Sequence, residues 1–285
     1  MRELTLELAH ARLKTLAWGD AALPPLLALH GWLDNAATYT AIAPLLSEHF
    51  HIVALDMPGH GRSDHASAGT TGYRFSDGIF DVLAVADALG WKSFDLLGHS
   101  MGAGIASLTA AACPDRVRRL VAIEALGALT TPPEQTLAQL RRALAQAREL
   151  AAKPLRVFAS EDEAIDARVK VSGLSREAAA ALVLRGIKPV TGGFSWSSDP
   201  RLTLASPQRF TEPQVLDLLH GIEAPTLLIV EPNSTVKPVA SAAFAARIAA
   251  VPKIEVRELA GGHHLHLENP QPVAHAIREF LLANA

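Results

Sequence analysis

The stretch Ser93-Phe94-Asp95-Leu96-Leu97-Gly98-His99-Ser100-Met101-Gly102-Ala103-Gly104-Ile105-Ala106 decides the fold. Its first five residues read as a short, largely apolar strand, and the small residues that continue to Ala112 suit a buried helix. Between the two, Gly98-His99-Ser100-Met101-Gly102 fits G-x-S-x-G, a sharp strand-to-helix turn that strains a serine and exposes its hydroxyl. Glycines two residues either side remove the side chains that such a turn would force together. Ser100 is thus a candidate covalent nucleophile, although a bare G-x-S-x-G also arises in ordinary glycine-rich turns.

Outward from this turn, apolar runs recur at 26–29, 52–55, 94–97, 120–123, 226–230 and 254–259. Segments of helical spacing lie between and beyond them, near 37–47, 78–90, 100–112, 239–250 and 271–282, and residues 1–8 alternate polar and apolar like a further strand. The alternation predicts an α/β fold, a mostly parallel central sheet flanked by helices on both faces. It breaks between about 127 and 220, where a long Ala-, Arg- and Gln-rich helix over 133–152, the acidic run Glu161-Asp162-Glu163 and a turn-rich stretch over 191–200 follow one another. The expected organisation is a core of 1–126 and 221–285 with a mainly helical cap, 127–220, inserted between them.

Composition narrows the function classes. In 285 residues, 49% hydrophobic and 19% charged side chains suffice for a large buried core. A net charge of -3 gives no overall basic footprint for nucleic acid or anionic membrane, so small-molecule partners are expected. The single cysteine, Cys113, rules out an internal disulfide and reads as inert packing. The first residues lack the apolar core of a signal peptide, and no apolar run approaches spanning length, so the expectation is a cytoplasmic protein without membrane insertion, monomeric or homodimeric.

A nucleophilic serine needs an oxyanion site and a base. The loop Leu29-His30-Gly31-Trp32-Leu33-Asp34-Asn35 follows a strand at the carboxyl edge of the predicted sheet, where the amide of Trp32, together with that of Met101, would receive a developing oxyanion; His30-Gly31 also reads simply as a turn. Near the C-terminus, Gly261-Gly262-His263-His264-Leu265-His266-Leu267-Glu268 offers three histidines as general base. His263 is favoured because Gly262 lets the backbone swing its ring over the serine. His263, His264, His266 and Glu268 as zinc ligands match none of the usual spacings, so no metal or cofactor is expected.

At this point the chain resembles the α/β-hydrolases, in particular the serine hydrolase-like branch. The resemblance rests on His30-Gly31-Trp32-Leu33-Asp34-Asn35, Asp56-Met57-Pro58-Gly59-His60-Gly61-Arg62-Ser63-Asp64, the Ser100 turn, Ile123-Glu124-Ala125-Leu126-Gly127, and His263 followed by Glu268 and Pro270. It implies that His263, at the superfamily's spacing from its Glu-x-Pro, is the catalytic histidine. The 56–64 loop carries no catalytic role in this reading and is assigned to turn chemistry. The superfamily's acid usually follows the strand that is here 226–230, yet Val230-Glu231-Pro232-Asn233-Ser234-Thr235 holds no aspartate. A triad needs a carboxylate to orient and charge the histidine. Glu124, at the end of the preceding strand, is favoured, as in those haloalkane dehalogenases that carry the acid there, with Glu231 as the alternative.

These readings converge on a capped serine hydrolase of carboxylic esters or thioesters, with His30, Asp34, Phe194 and Trp196 as candidates for the substrate pocket. Carbon-carbon bond or amide hydrolysis by the same triad stays open, as does a catalytically silent ligand-binding homologue.

Overall fold

The computed structural model describes residues 1–67, 72–150, 155–233 and 242–284. Among the described residues ten strands are formed: β1 (Arg2–Glu7), β2 (Arg12–Trp18), β3 (Pro25–Leu29), β4 (His51–Leu55), β5 (Phe94–His99), β6 (Val117–Ile123), β7 (Ile187–Val190), β8 (Gly193–Trp196), β9 (Thr226–Val230) and β10 (Ile254–Glu258). Eight of them join one sheet in the order β1-β2-β4-β3-β5-β6-β9-β10, in which β2 runs antiparallel to both its neighbours and every other pairing is parallel. The middle strands β4 and β5 are buried along their whole length, as strands covered on both faces must be. Asp95 in β5 is the charged exception, and Arg119 of β6 satisfies it with bonds of 2.8 and 2.6 Å. A buried charge is tolerated only with such a partner.

Ten α-helices among the described residues accompany the strands: α1 (Ala43–Leu46), α2 (Asp77–Ala88), α3 (Met101–Ala112), α4 (Thr136–Leu150), α5 (Glu161–Ser172), α6 (Arg176–Gly186), α7 (Glu212–His220), α8 (Ala242–Ala250), α9 (Leu265–Glu268) and α10 (Pro270–Ala283). One face of the sheet packs Leu27 and Leu96 against Val82 of α2, Ile105 and Leu108 of α3, Val215 and Leu219 of α7 and Phe244 of α8. The other packs Leu26, Leu97 and Val121 against Leu46 of α1 and Ile277 and Phe280 of α10. At about 25 cal/mol per Å2 of apolar surface removed from water, these two layers are the main source of stability.

Several boundaries differ from expectation. The helix expected over 37–47 is split into a 3-10 turn at Ala36–Tyr39 and the short α1, because Pro44 has no amide to continue a helix from below and favours a fresh start. The helix expected from 133 opens as a 3-10 turn, Pro133–Gln135, before α4; residues 151 and 152, like the 239–241 start expected for α8, lie outside the described residues. The turn-rich stretch over 191–200 contains a strand, β8, paired antiparallel with β7.

Between β6 and α7, the chain forms α4, α5, α6 and the β7–β8 hairpin. Serines cap two of these helices, Ser160 accepting from the Glu163 amide and Ser175 from the Ala178 amide, both at 3.2 Å, and Gly173 ends α5 in the left-handed conformation with φ 68°. Phe158, Ile165, Leu174, Leu182 and Val183 make a small apolar cluster of their own. Buried Arg185 of α6 fastens this unit to the sheet, its Nε donating to both Asp56 oxygens at 3.0 Å and its Nη1 to Glu3 at 2.7 Å. Asp56 also accepts the amides of Ala36 at 2.8 Å and Arg62 at 2.9 Å, a structural use of the 56–64 turn. Helix α7, placed by sequence in the insertion, instead contributes Val215 and Leu219 to the main core.

Candidate active site

Ser100 stands at the junction of β5 and α3 with φ 51° and ψ -113°. Its amide donates to the Ile123 carbonyl at 2.8 Å, which ties the turn to β6. A Cβ on Gly98 would lie 2.4 Å from the Gly102 carbonyl oxygen, and one on Gly102 would lie 2.1 Å from the Leu29 carbonyl oxygen. Both glycines are therefore required by close backbone approach, and the second brings the loop after β3 directly against the turn.

Glu124 follows the last residue of β6 and His263 lies in the loop after β10. The Ser100 hydroxyl is 3.1 Å from His263 Nε2, and His263 Nδ1 is 3.1 Å from Glu124 Oε2. With the proton on Nδ1, the imidazole donates to the carboxylate and accepts from the serine. The Glu124 side chain is almost fully buried, whereas that of His263 is 23% exposed and so open to a substrate. Among the described residues, three non-glycines have positive φ: Ser100 at 51°, Glu124 at 60° and Leu33, in the loop after β3, at 59°. Such conformations cost of order 1–3 kcal/mol each, and backbone strain of this kind gathers at functional sites.

Glu231 does not face the imidazole. Its Oε2 accepts the amides of Gly261 at 2.7 Å and Gly262 at 3.0 Å, its Oε1 accepts the Asn233 amide at 3.2 Å, and its own amide donates to Glu124 Oε1 at 2.6 Å. The Gly262 amide, working against desolvation, and then the Asn233 and Gly261 amides hold its carboxyl below the usual range. Glu231 thus ties down the two residues that precede His263 and also braces Glu124. The sequence reading had weighed it only as an alternative acid.

The other two histidines of the loop are engaged elsewhere. His264 Nε2 donates to Asp34 Oδ2 at 3.0 Å, and the other Asp34 oxygen accepts from Arg168 of α5. Burial alone would raise the Asp34 carboxyl, but His264, Arg168 and His99 keep it well below the usual range. His266 lies 2.7 Å from the Thr38 hydroxyl, and burial followed by the nearby His264 lowers it to about 3. His99, the middle residue between Gly98 and Ser100, donates from Nε2 to the His263 carbonyl at 2.8 Å. Burial, then His266, His264 and His263, hold it neutral. A polar residue at the carboxyl end of a fully buried strand was the signal for this role of His99.

Of the residues expected to line the pocket, His30 is fully buried. It accepts the Met57 amide at 3.0 Å on Nε2 and donates from Nδ1 to the Gly31 carbonyl at 2.7 Å, and burial lowers it to about 4. Asp34 is likewise buried in the network above, so neither presents an open polar group. Trp196 packs edge-on against Phe158 at 5.0 Å, and Phe194 pairs its backbone with that of Phe158. Trp32 is 54% exposed and its indole donates to the Leu202 carbonyl at 2.9 Å, a contact with the inserted segment. Asp34, His99 and His264 offer potential metal-ligand atoms within 4.8 Å of one another. The Arg168 guanidinium on Asp34 opposes a cation there.

Residues 24–270 match the family model described as alpha/beta hydrolase fold. A serine hydrolase-like protein of Danio rerio is 31% identical over 98% of this chain and 88% of its own length. A hypothetical protein of Pseudomonas aeruginosa PAO1, PA1622, superposes with a TM-score of 0.92 at 38% identity over 99% of this chain and 100% of its own. A thioesterase domain from the curacin biosynthetic pathway superposes with a TM-score of 0.86 at 25% identity, covering 99% of each chain. Fold, turn geometry and relatives agree: the chain belongs to the α/β-hydrolase family, in its serine hydrolase-like branch.

Proposed function

We propose that the protein is a serine hydrolase that cleaves carboxylic esters or thioesters through an acyl-enzyme on Ser100. The observation that carries this reading is the unbroken chain from the Ser100 hydroxyl through both His263 nitrogens to Glu124, each link 3.1 Å. In the first half-reaction, Ser100 Oγ attacks the carbonyl carbon while His263 Nε2 takes its proton, and the imidazolium then protonates the departing alcohol or thiol. Water repeats the attack on the acyl-serine with His263 again as base, releasing the acid and restoring the hydroxyl. Glu124 fixes the tautomer and stabilises the imidazolium, and Glu231 is a positioning residue that holds the histidine loop.

The oxyanion is received by the backbone amides of Trp32 and Met101, each worth about 3 kcal/mol. Two features support this assignment: the contact of the loop after β3 with Gly102, and the position of Met101 at the start of α3, whose dipole favours negative charge. The segment between β6 and α7 acts as the cap, with Phe194 and Trp196 belonging to its own packing. The chemistry requires no metal or organic cofactor. Likeness to the curacin thioesterase domain favours keeping thioesters beside oxygen esters.

A fluorophosphonate probe tests the reading. Stoichiometric labelling at Ser100, lost in Ser100→Ala, is expected, together with turnover of short p-nitrophenyl esters or acyl thioesters. Absence of labelling on folded protein would favour a silent ligand-binding homologue.

A further inference from the structure

Helix α4 carries three of its four leucines on the side away from the protein. Its inner strip is Gln139, Ala143, Gln146 and Leu150, with Ala143 buried and the others half-buried. Gln139 Nε2 donates to the Ser206 carbonyl, and Gln146 Oε1 accepts the Ala205 amide, both at 2.7 Å. At 3.6 residues per turn, the opposite side carries Leu137, Leu140 and Leu144 beside Arg141 and Arg148. These leucines are 57%, 41% and 53% exposed. A helix that serves only to cover a core turns its leucines inward and its glutamines outward. Here the pattern is reversed, on a helix holding three arginines to one glutamate in a chain whose net charge is -3.

We propose that this face of α4 docks on an anionic lipid surface, with the leucines entering the headgroup boundary and Arg141 and Arg148 meeting the lipid anions. A leucine face bordered by arginines is the composition of helices that lie in such an interface. Charge complementarity argues for this occupant over a second copy, since a twofold pairing of the same patch would set its arginines against themselves. Exposure argues the same way: α4 is exposed on every side but its inner strip, which leaves the leucine and arginine side chains free to enter a fluid interface. The strip rests on 205–206, three residues beyond the Leu202 carbonyl that holds the Trp32 indole, so the inner side of α4 is tied to the segment that touches the loop after β3 and the docking face is turned away from it. The docking does not depend on the catalytic reading.

Co-sedimentation of the full chain with vesicles of phosphatidylcholine, alone or mixed equally with phosphatidylglycerol, tests it. Binding is expected to the mixed vesicles and to weaken at high salt. It should fall roughly tenfold or more in the variant Leu137→Glu, Leu140→Glu, Leu144→Glu, and similarly in Arg141→Glu, Arg148→Glu. Circular dichroism and melting should leave both variants folded, because the altered side chains are exposed; the salt and lipid dependence of the unaltered chain needs no variant at all. Binding that ignores anionic lipid, or that both variants retain in full, overturns the proposal. So does a dimer, seen by size-exclusion chromatography, that the leucine variant splits.

Discussion

Two neighbouring strands, β6 and β9, each end in a glutamate at the same edge of the sheet, and the two carboxylates serve the same loop in different ways. Glu124 meets the imidazole of His263 at 3.1 Å, while Glu231 meets the amides of Gly261 and Gly262 at 2.7 and 3.0 Å. The parallel register, Ile123 beside Ile229, leaves the carboxylates adjacent and linked through the Glu231 amide. Which strand an acid follows therefore does not decide its role. The atoms it reaches do: one carboxylate meets the ring, and the other fixes the backbone that carries it.

The sharpest way to break this distinction is to neutralise each acid in turn. Glu124→Gln is expected to lower kcat by about 10^4, because an amide stabilises the wrong tautomer and carries no charge. Glu231→Gln, which keeps an acceptor for the two glycine amides, should cost roughly tenfold, the loss expected when a positioning contact is loosened. Esterase kinetics on both variants decide the matter, and comparable losses would merge the two roles.

Acid titration separates them by charge. Burial holds His30 at about 4 and His60 and His266 at about 3, against 6.5 in an unfolded chain. Their folded values lie below the unfolded one, so the stability they contribute is complete above about pH 6.5 and is lost as pH falls toward 4. Melting temperatures should decline over that window, and His266→Gln should flatten the decline. Glu231→Gln should leave the slope between pH 6.5 and 5 unchanged, since the Glu231 carboxyl, held by the Gly262 amide, titrates below the ordinary carboxylate range. The smallest effect carries the contrast to the oxyanion loop. Trp32→Phe removes an indole bond to Leu202 but keeps the backbone amide, so turnover should change by less than about tenfold.

Much of this arrangement was legible in the chain. The βα rhythm and the glycines around Ser100 come from local patterns, and β5, α3, β6 and β9 formed where those patterns put them. His263 and Glu124 were singled out through motif order, and the structure brings His263 to Ser100 and Glu124 to His263. The rest depended on contacts between residues distant in sequence. Nothing local to Glu231 shows that it bonds to amides some thirty residues on. Nor does the loop around Asp34 reveal that the fold buries its carboxylate between Arg168 and His264. The first helix was misjudged because Pro44 interrupts an otherwise helical spacing.

The Ser100 amide bonded to Ile123, and the Glu124 amide bonded to Ile229, have a practical consequence. The proposed nucleophile and acid are held apart by adjacent rungs of one sheet, and both precede the segment between β6 and α7, whereas His263 follows it. A chain severed within the insertion leaves the rigid pair on one fragment and the base on the other. On the proposed mechanism, hydrolysis by such fragments would require β6 and β9 to pair again.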